Sequence, residues 1–598
     1  MKQVLVMLSV VLSAGMPLYS AEATVHKADV CVYGGTASGV MAAVAAEREG
    51  ADVIMVEPSR WLGGMTGGGI SHLDWGRKQA VGGSTYEILK GQPGNEVYRK
   101  TFKDLVARHK IKVIYNHRLA KVRLDGRSIK SVTLDYAPVS ETGCPPAKPE
   151  KANAAAIAAK VFIDCSYEGD LMARSKVSYT WGRESQKKYG ESLAGVRPSL
   201  WVYDIDPYRT PGDSGSGLIP FVQAREIGPL GAADKLTMGY CFRYKLDLKG
   251  SGLPIGKPAN YDPAEFELFR RGFKRGLNLS RARRMRALGK ISEWGGYLFT
   301  SGGGNLNRSI LTTTIYGCNT DYPDGDWAAR AKIWKFHQDY LRKLVHFLKT
   351  DNSVPAKLKA RAEKVSFRRG VFDETNGWPS QLYVREARRM VSAYVVTQKD
   401  MEAKTDPEHS IGLASYGVDD WSYATVVKDG KVALQGGEFS ILYLDKGKRN
   451  GIYKIPYEAI VPLKSECDNL LVPVCCSASH IAMTSIRMEP VWMILGEPGG
   501  VAAGMAVAGQ TAVQDVPYDA LKAKLLMLGQ KLEIPLTRTS KKRQWASQQD
   551  WDRQKPGYEW VFPLIDKNAD GKVTDLEYKA FRTFKKAHKN WEKALRSK

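Results

Sequence analysis

The sequence predicts an α/β protein in which a nucleotide-binding, parallel-sheet domain is interrupted by a large α+β insertion and followed by a small C-terminal module. Three observations carry this. Residues 29–64 run strand, Gly-rich turn, Ala-rich helix, strand and acid in that order. Alternating strand and helix patterns extend to about residue 185 and return at 456–530. A twelve-residue acidic loop centred on a glycine occupies 566–577.

At 598 residues the chain is too long for one core, and 43% hydrophobic with 25% charged residues suits folded protein and excludes long disorder. The N-terminus reads as an export signal: Lys2, an apolar run over Val4–Ala14, then small residues at Ser20, Ala21 and Ala23. That run is shorter than the roughly 20 residues a membrane span needs. Residues 1–23 are therefore expected to be a cleaved signal peptide, the mature chain periplasmic or secreted, and no later stretch long and apolar enough to span. No twin-arginine pair is present in this segment.

The net charge of +25, from 88 Lys+Arg against 63 Asp+Glu, suits a polyanion. No nucleic-acid-binding motif accompanies it, which leaves association with anionic envelope polymers or a plain solvated basic surface. The eight cysteines are scattered, unlike a disulfide framework or zinc site. Cys31 and Cys165 lie in apolar runs and read as core; the state of the vicinal pair Cys475-Cys476 stays open.

The expected organisation is a first nucleotide-binding part at 24–195, an inserted substrate or cap domain at 196–455, a second nucleotide-binding part at 456–532, a polar linker at 533–556 and a module at 557–598. Within the insertion, Tyr240 to Leu248 reads as an aromatic-rich strand and Trp327 to Lys349 as a helix.

The dinucleotide fingerprint is Gly34-Gly35-Thr36-Ala37-Ser38-Gly39, set between a strand ending at Tyr33 and the helix from Val40 to Glu49. Gly34 permits the tight turn, Gly39 lets helix and strands approach, and helix-start N–H groups face a pyrophosphate, as in a Rossmann-type unit. Glu57, at the end of the next strand, has the spacing of the acid that binds a ribose hydroxyl. The middle glycine of the motif is replaced by Thr36, whose side chain would crowd the pyrophosphate unless the loop shifts. Glu57-Pro58-Ser59 leads to Gly63-Gly64-Met65, a loop suited to the extended FAD rather than NAD. Gly67-Gly68-Gly69 then leads to His72 and Asp74, which read equally as a flavin-ring lining or a surface turn.

Tyr33–Asp74, Val161–Asp170, Gly377–Ala387 and Ser477–Pro490, four motifs in order over about residues 28–530, resemble the exported FAD-dependent oxidoreductases of the glutathione-reductase-like flavoprotein superfamily, some of which are labelled xanthan lyases. The resemblance implies FAD and redox chemistry without fixing a substrate or electron acceptor. It makes Lys112–Leu134 the paired strands that cover the adenine, and takes Asp164 to the phosphate–ribityl region, unless Asp164 is simply a strand-end turn residue. It also brings the helix from Val491 to Gln510, with Gly496, Gly499-Gly500 and Gly504, to the flavin. Gly496 and Gly500 are accordingly candidate cofactor contacts, or the close-packed face of that helix.

Because flavin carries the hydride chemistry, the protein must place substrate and move a proton. His480 and Arg487 fall in the segment expected to face the ring, with His72 a further candidate. Arg385 reads as part of a helix start that offers a fork to a substrate carboxylate. Internal salt bridges among Arg385, Glu386 and Glu489, and a capping His480, are the bland alternative. The expected activity is a dehydrogenase or oxidase of a small organic or carbohydrate-derived molecule. The rivals are a redox-neutral flavin isomerase or lyase and a non-catalytic, calcium-dependent polysaccharide-binding protein.

Asp566, Asn568, Asp570, Lys572 through its carbonyl, Thr574 and Glu577 stand at calcium-ligand positions of an EF-hand loop, with Gly571 at the sharp turn. Tyr578, Phe581 and Phe584 give the exiting helix an apolar face, whereas Pro556-Gly557 and Pro563 leave little room for a regular entering helix. No second loop is evident, so the module reads as a structural clip.

Overall fold

A computed structural model describes residues 24–70, 73–197, 201–275, 311–436, 442–445, 447 and 449–534. The signal segment, His72, nearly all of the linker and the whole calcium loop lie outside the described residues.

Strand β1 (Thr24–Tyr33) leads through the Gly34–Thr36 turn into helix α1 (Ala37–Arg48), and β2 (Val53–Glu57) returns parallel to β1. Helices α2 (Gly64–Gly68), α3 (Gly83–Leu89) and α4 (Asn95–Arg108) precede β3 (Lys112–Tyr115), which extends the parallel sheet beside β2. Strands β4 (His117–Asp125) and β5 (Ser128–Tyr136) form an antiparallel hairpin, and the long β6 (Lys151–Asp164) lies between β5 and β1.

The sheet order is β3-β2-β1-β6-β5-β4, and Leu470–Leu471 adds a parallel rung to β6 at Phe162 and Ile163. Five parallel segments therefore end at one edge, and Tyr33, Glu57, Tyr115, Asp164 and Leu471 mark it. This is the α/β, Rossmann-type FAD-binding architecture, whose ligand crevice lies outside the carboxyl ends of the strands.

The helix Glu489–Gly509 closes the layer by packing on α1. Gly496, Gly500 and Gly504 recur every four residues, so they share one face. A Cβ on each would overlap the Ser38 carbonyl, the Ala42 carbonyl and the Glu49 side chain respectively. The sequence puts Gly496 and Gly500 at the cofactor as well; the structure gives both a packing role against α1. This helix also corrects the expectation that no later stretch is long and apolar enough to span a bilayer. It meets both criteria, yet 83% of its apolar window is buried inside the protein.

Residues 24–445 and 451–534 belong to one compact unit, and a continuous apolar core joins α1, the Glu489–Gly509 helix and the aromatic side chains of the expected insertion. The helix expected at 327–349 is present as Trp327–Thr350. The aromatic strand expected at 240–248 is not a full strand: only Leu246–Asp247 pairs, with Ser366–Phe367, and Cys241 bridges Tyr383. Tyr240, Phe242 and Tyr244 are buried through ring packing, including Phe242 on Trp334 and Tyr244 on Trp378. The helix start expected around Arg385 does not form either. Tyr383 donates its N–H to Cys241 O and Met390 to Cys475 O, and these partners hold the segment extended.

Candidate functional site

The crevice begins at the β1–α1 turn. Gly34 has φ +97°, and a Cβ there would lie 2.7–2.9 Å from the Cys165–Ser166 backbone, so only glycine fits. Thr36 is the N-cap of α1. Its hydroxyl donates to Cys165 O at 2.8 Å and accepts from Gly39 N–H at 3.1 Å. The side chain that replaces the middle glycine is thus tied into the seam between helix and sheet, where it caps the helix. The amides of Ala37 and Ser38, which a helix cannot satisfy internally, stand at the same end. Gly39 has no room for a Cβ beside the Gly34 carbonyl, and Ser38 Oγ lies 3.9 Å from Cys165 Sγ.

Glu57 is buried and accepts from Gly35 N–H and Ser59 N–H, both at 2.7 Å. Burial raises its proton affinity, and these bonds oppose the rise. Pro58 lies between these anchors, and Ser59 O accepts from Asn116 N–H at 2.9 Å, joining the turn to the β4–β5 hairpin. Gly63 donates to Gly35 O at 2.8 Å and bridges Thr36, which lays the second glycine loop against the first. A glycine turn with no space for side chains, free helix-start amides and a buried acid closing the second strand fit FAD.

Beyond Gly64, the Met65 N–H donates to the Tyr167 hydroxyl at 2.7 Å, which donates to Glu489 at 2.7 Å. Thr66 donates to the other Glu489 oxygen at 2.6 Å. Burial pushes Glu489 up to about 7. Asp164 accepts from the Ser166 N–H and hydroxyl in its own turn and from Met172 N–H in the helix Asp170–Arg174 that follows. Burial pushes it up to about 6.

The second half of the site gathers three of the sequence-chosen residues. Ser479 caps the helix His480–Ile486, which places His480 in its first turn. His480 is buried, with Nδ1 2.8 Å from Glu386 and Nε2 2.6 Å from the Tyr423 hydroxyl. Tyr423 in turn donates to Asp420, so four buried groups form one chain. Burial opposes the imidazolium, but Glu386 outweighs it and His480 titrates above its ordinary value. Glu386 sits below the usual carboxylate range: burial works against this, and His480 and Arg389 overcome it.

Arg487 donates to the Tyr383 hydroxyl at 2.9 Å and to Asp419 Oδ2 at 3.0 Å. Arg385 lies between two rings, 4.4 Å from Tyr383 and 4.3 Å from Trp421, and donates to Gly239 O at 2.8 Å. Tyr383 thereby touches both arginines. The same strand-like segment runs along the Gly-rich turn, with Gln381 N–H donating to Gly68 O at 3.2 Å. Asp74 is hydrogen-bonded to the Tyr416 hydroxyl, three residues before Asp419 in the chain.

Glu386, Tyr383, Asp419, Asp420 and Tyr423 were not selected from sequence as site residues. The run Asp419-Asp420-Trp421-Ser422-Tyr423, two acids among aromatics, is the one local signal that points to them. All eight cysteines are free, which settles the vicinal pair, and burial pushes Cys476 up to about 12.

A profile of the FAD dependent oxidoreductase family matches residues 29–525. Among solved structures, the chain is similar to the OxyS anhydrotetracycline hydroxylase from Streptomyces rimosus, with 9% identity and a TM-score of 0.19 over 29% of this chain and 40% of that one. It is similar to thioredoxin reductase from T. acidophilum, with 18% identity and a TM-score of 0.16 over 23% of this chain and 35% of that one. It is also similar to L-proline dehydrogenase from P. horikoshii, with 17% identity and a TM-score of 0.17 over 28% of this chain and 26% of that one. The chain spans less than half the length of each, and no curated protein matches in sequence. The profile match covers most of the chain and agrees with the cradle, so the chain belongs to the FAD-dependent oxidoreductase family.

Proposed function

We propose that this oxidoreductase is an exported dehydrogenase or oxidase of a small organic or carbohydrate-derived molecule. The observation that carries the reading is the convergence of His480, Arg385 and Arg487 on Tyr383, Glu386 and Tyr423, beside the segment that runs along Gly68. FAD, when bound, supplies the hydride acceptor. Gly34, Gly35, Thr36, Ser38 and Gly39 would hold its pyrophosphate, Glu57 a ribose hydroxyl, and Gly63, Gly64 and Met65 the adjoining part.

On the protein side, Glu386 fixes the His480 ring through Nδ1 and leaves Nε2 to exchange a proton with the Tyr423 hydroxyl. The arginines hold the substrate. Export is supported by Lys2 and the apolar run over 4–14. A calcium clip at Asp566, Asn568, Asp570, Lys572, Thr574 and Glu577 is supported by the ligand spacing, and the net charge of +25 supports contact with anionic envelope polymers. Anaerobic bleaching of the purified flavoprotein by sugars, uronates and hydroxy acids, followed by the same titration of His480→Ala, tests the reading. Bleaching that needs His480 supports it; bleaching unchanged in the variant removes His480 from the mechanism.

A further inference from the structure

Four arginines among the described residues are less than 2% exposed: Arg330, Arg385, Arg389 and Arg487. Three are neutralised in place. Arg330 forms a fork with Asp170 at 2.6 and 2.9 Å, Arg389 reaches Glu184 at 2.6 Å, and Arg487 reaches Asp419 at 3.0 Å. Arg385 is the exception. Its polar contacts are Gly239 O and, at 3.5 Å, Cys241 Sγ, and its faces are covered by Tyr383 and Trp421. A buried guanidinium without a counter-charge is costly, and the nearby Arg243 and Arg487 add repulsion rather than relief.

A second, independent observation lies next to it. Arg487 and Asp419 form one ion pair, yet Arg487 Nε and Asp419 Oδ1 are both buried without a hydrogen-bond partner. A buried donor and a buried acceptor left without partners call for an explanation, and a bound group that meets both is one. One is a donor and the other an acceptor. Tyr383, which stacks on Arg385 and bonds Arg487, fixes the two guanidinium groups relative to each other.

We infer that this cluster binds a small carboxylate that carries a hydroxyl or amino donor beside it, such as a 2-hydroxy or 2-amino acid or an acidic sugar. The carboxylate supplies the missing negative charge to Arg385 and accepts from Arg487 Nε–H; the neighbouring O–H or N–H donates to Asp419 Oδ1. A neutral alcohol satisfies the orphaned pair but leaves Arg385 uncompensated. A plain carboxylate compensates Arg385 and meets Arg487 Nε–H but leaves Asp419 Oδ1 without a donor. The inference rests on reading these residues as the substrate side of the oxidoreductase, and it narrows the substrate class to acids.

The test is an anaerobic titration of the full-length holoprotein with lactate, glycerate, alanine and glucuronate against lactamide, glycerol and glucose. Binding is read from the perturbed flavin spectrum and turnover from bleaching. At least one acid is expected to bind roughly 100-fold more tightly than its neutral analogue, the difference lost when a buried, charge-assisted contact goes unmade. Arg385→Gln is expected to abolish that preference and Arg385→Lys to restore part of it. Neutral analogues that match their acids overturn the inference and leave the oxidoreductase reading intact, as does a failure of every acid to bind while a neutral sugar bleaches the flavin. Acids that perturb the spectrum without bleaching support the carboxylate site and count against a dehydrogenase or oxidase. The comparison of acid with neutral analogue is made on the unmodified protein, so it stands even where Arg385→Gln does not fold.

Discussion

His480 and Glu386 lie 2.8 Å apart, both fully buried, and this pair fixes which imidazole nitrogen faces Tyr423. Because Glu386 raises His480 above its ordinary value, the protonated form persists to higher pH in the folded protein. With His480 taking the substrate proton through the Tyr423 hydroxyl, flavin reduction rises with pH as the ring deprotonates. Glu386→Gln removes the charge that favours the imidazolium, so that limb is expected to move to lower pH. His480→Ala is expected to slow reduction by about 100-fold or more while leaving the flavin bound. Stopped-flow reduction across pH 5–9, on the order of the window in which imidazole titrates, measures both.

Glu489 gives a stability prediction with a definite sign. Its folded-state value of about 7 stands above the ordinary 4.5, so the folded protein binds more protons than the unfolded chain between these values. Stability should therefore fall as pH rises through that window, by on the order of a few kcal/mol at full effect. Asp164, pushed up to about 6 from 3.8, acts in the same direction at lower pH. Glu489→Gln is expected to flatten the upper part of the slope in denaturant melts of the holoprotein, with the lower part left to Asp164.

Thr36 offers a sharp contrast between sequence and structure. By the motif alone, Thr36→Gly should improve the pyrophosphate site. The structure gives the hydroxyl two hydrogen bonds, to Cys165 O and from Gly39 N–H. The substitution is expected to lower stability by about 1 kcal/mol without tightening FAD, since each such bond contributes on that order. Thermal melts and flavin retention on dilution check the two halves.

The glycine face between α1 and the Glu489–Gly509 helix is expected to tolerate no growth. A Cβ at Gly500 overlaps the Ala42 carbonyl, and neither helix can withdraw without opening the core. Gly500→Ala should cost at least ~1–3 kcal/mol, the range for overpacking a tight interior. The equivalent change at Gly91, where a Cβ meets nothing within 4 Å but φ is +81°, tests conformational strain alone.

Calcium addition to the full chain is expected to raise the melting temperature and the protease resistance of the segment after residue 534. Asp566→Ala with Glu577→Ala should remove both effects, because the proposed calcium loop puts carboxylate ligands at these two positions.

The nucleotide-binding half was legible in sequence because its signals are local. A turn at Gly34–Gly39, an acid at Glu57 and a helix at 489–509 each follow from period and residue type over short stretches. Gly496 and Gly500 show the limit: close packing and cofactor contact predict the same glycines, and the three-dimensional neighbours establish the packing. The segment around Arg385 misled because Tyr-Val-Arg-Glu-Ala has helical composition. Its conformation is set by Cys241 and Cys475, residues 142 and 85 positions away from their partners Tyr383 and Met390, whose backbone bonds override local propensity. The aromatic segment 240–248 failed as a strand for a similar reason, since ring packing rather than a ladder supplies its order. Tyr423 and Asp420 were hidden because nothing in sequence places them beside His480, 57 and 60 residues later.

In the proposed function, FAD held in the β1–α1 cradle acts on a substrate bound at the Arg385–His480 side. The most direct measurement is anaerobic reduction of the purified full-length protein, with released flavin quantified after denaturation. The expected result is a yellow protein with close to one FAD per chain, bleached by at least one small acid and bleached about 100-fold more slowly in His480→Ala. A colourless protein that takes up no FAD on reconstitution, or one whose bound flavin no member of the panel reduces, would contradict it.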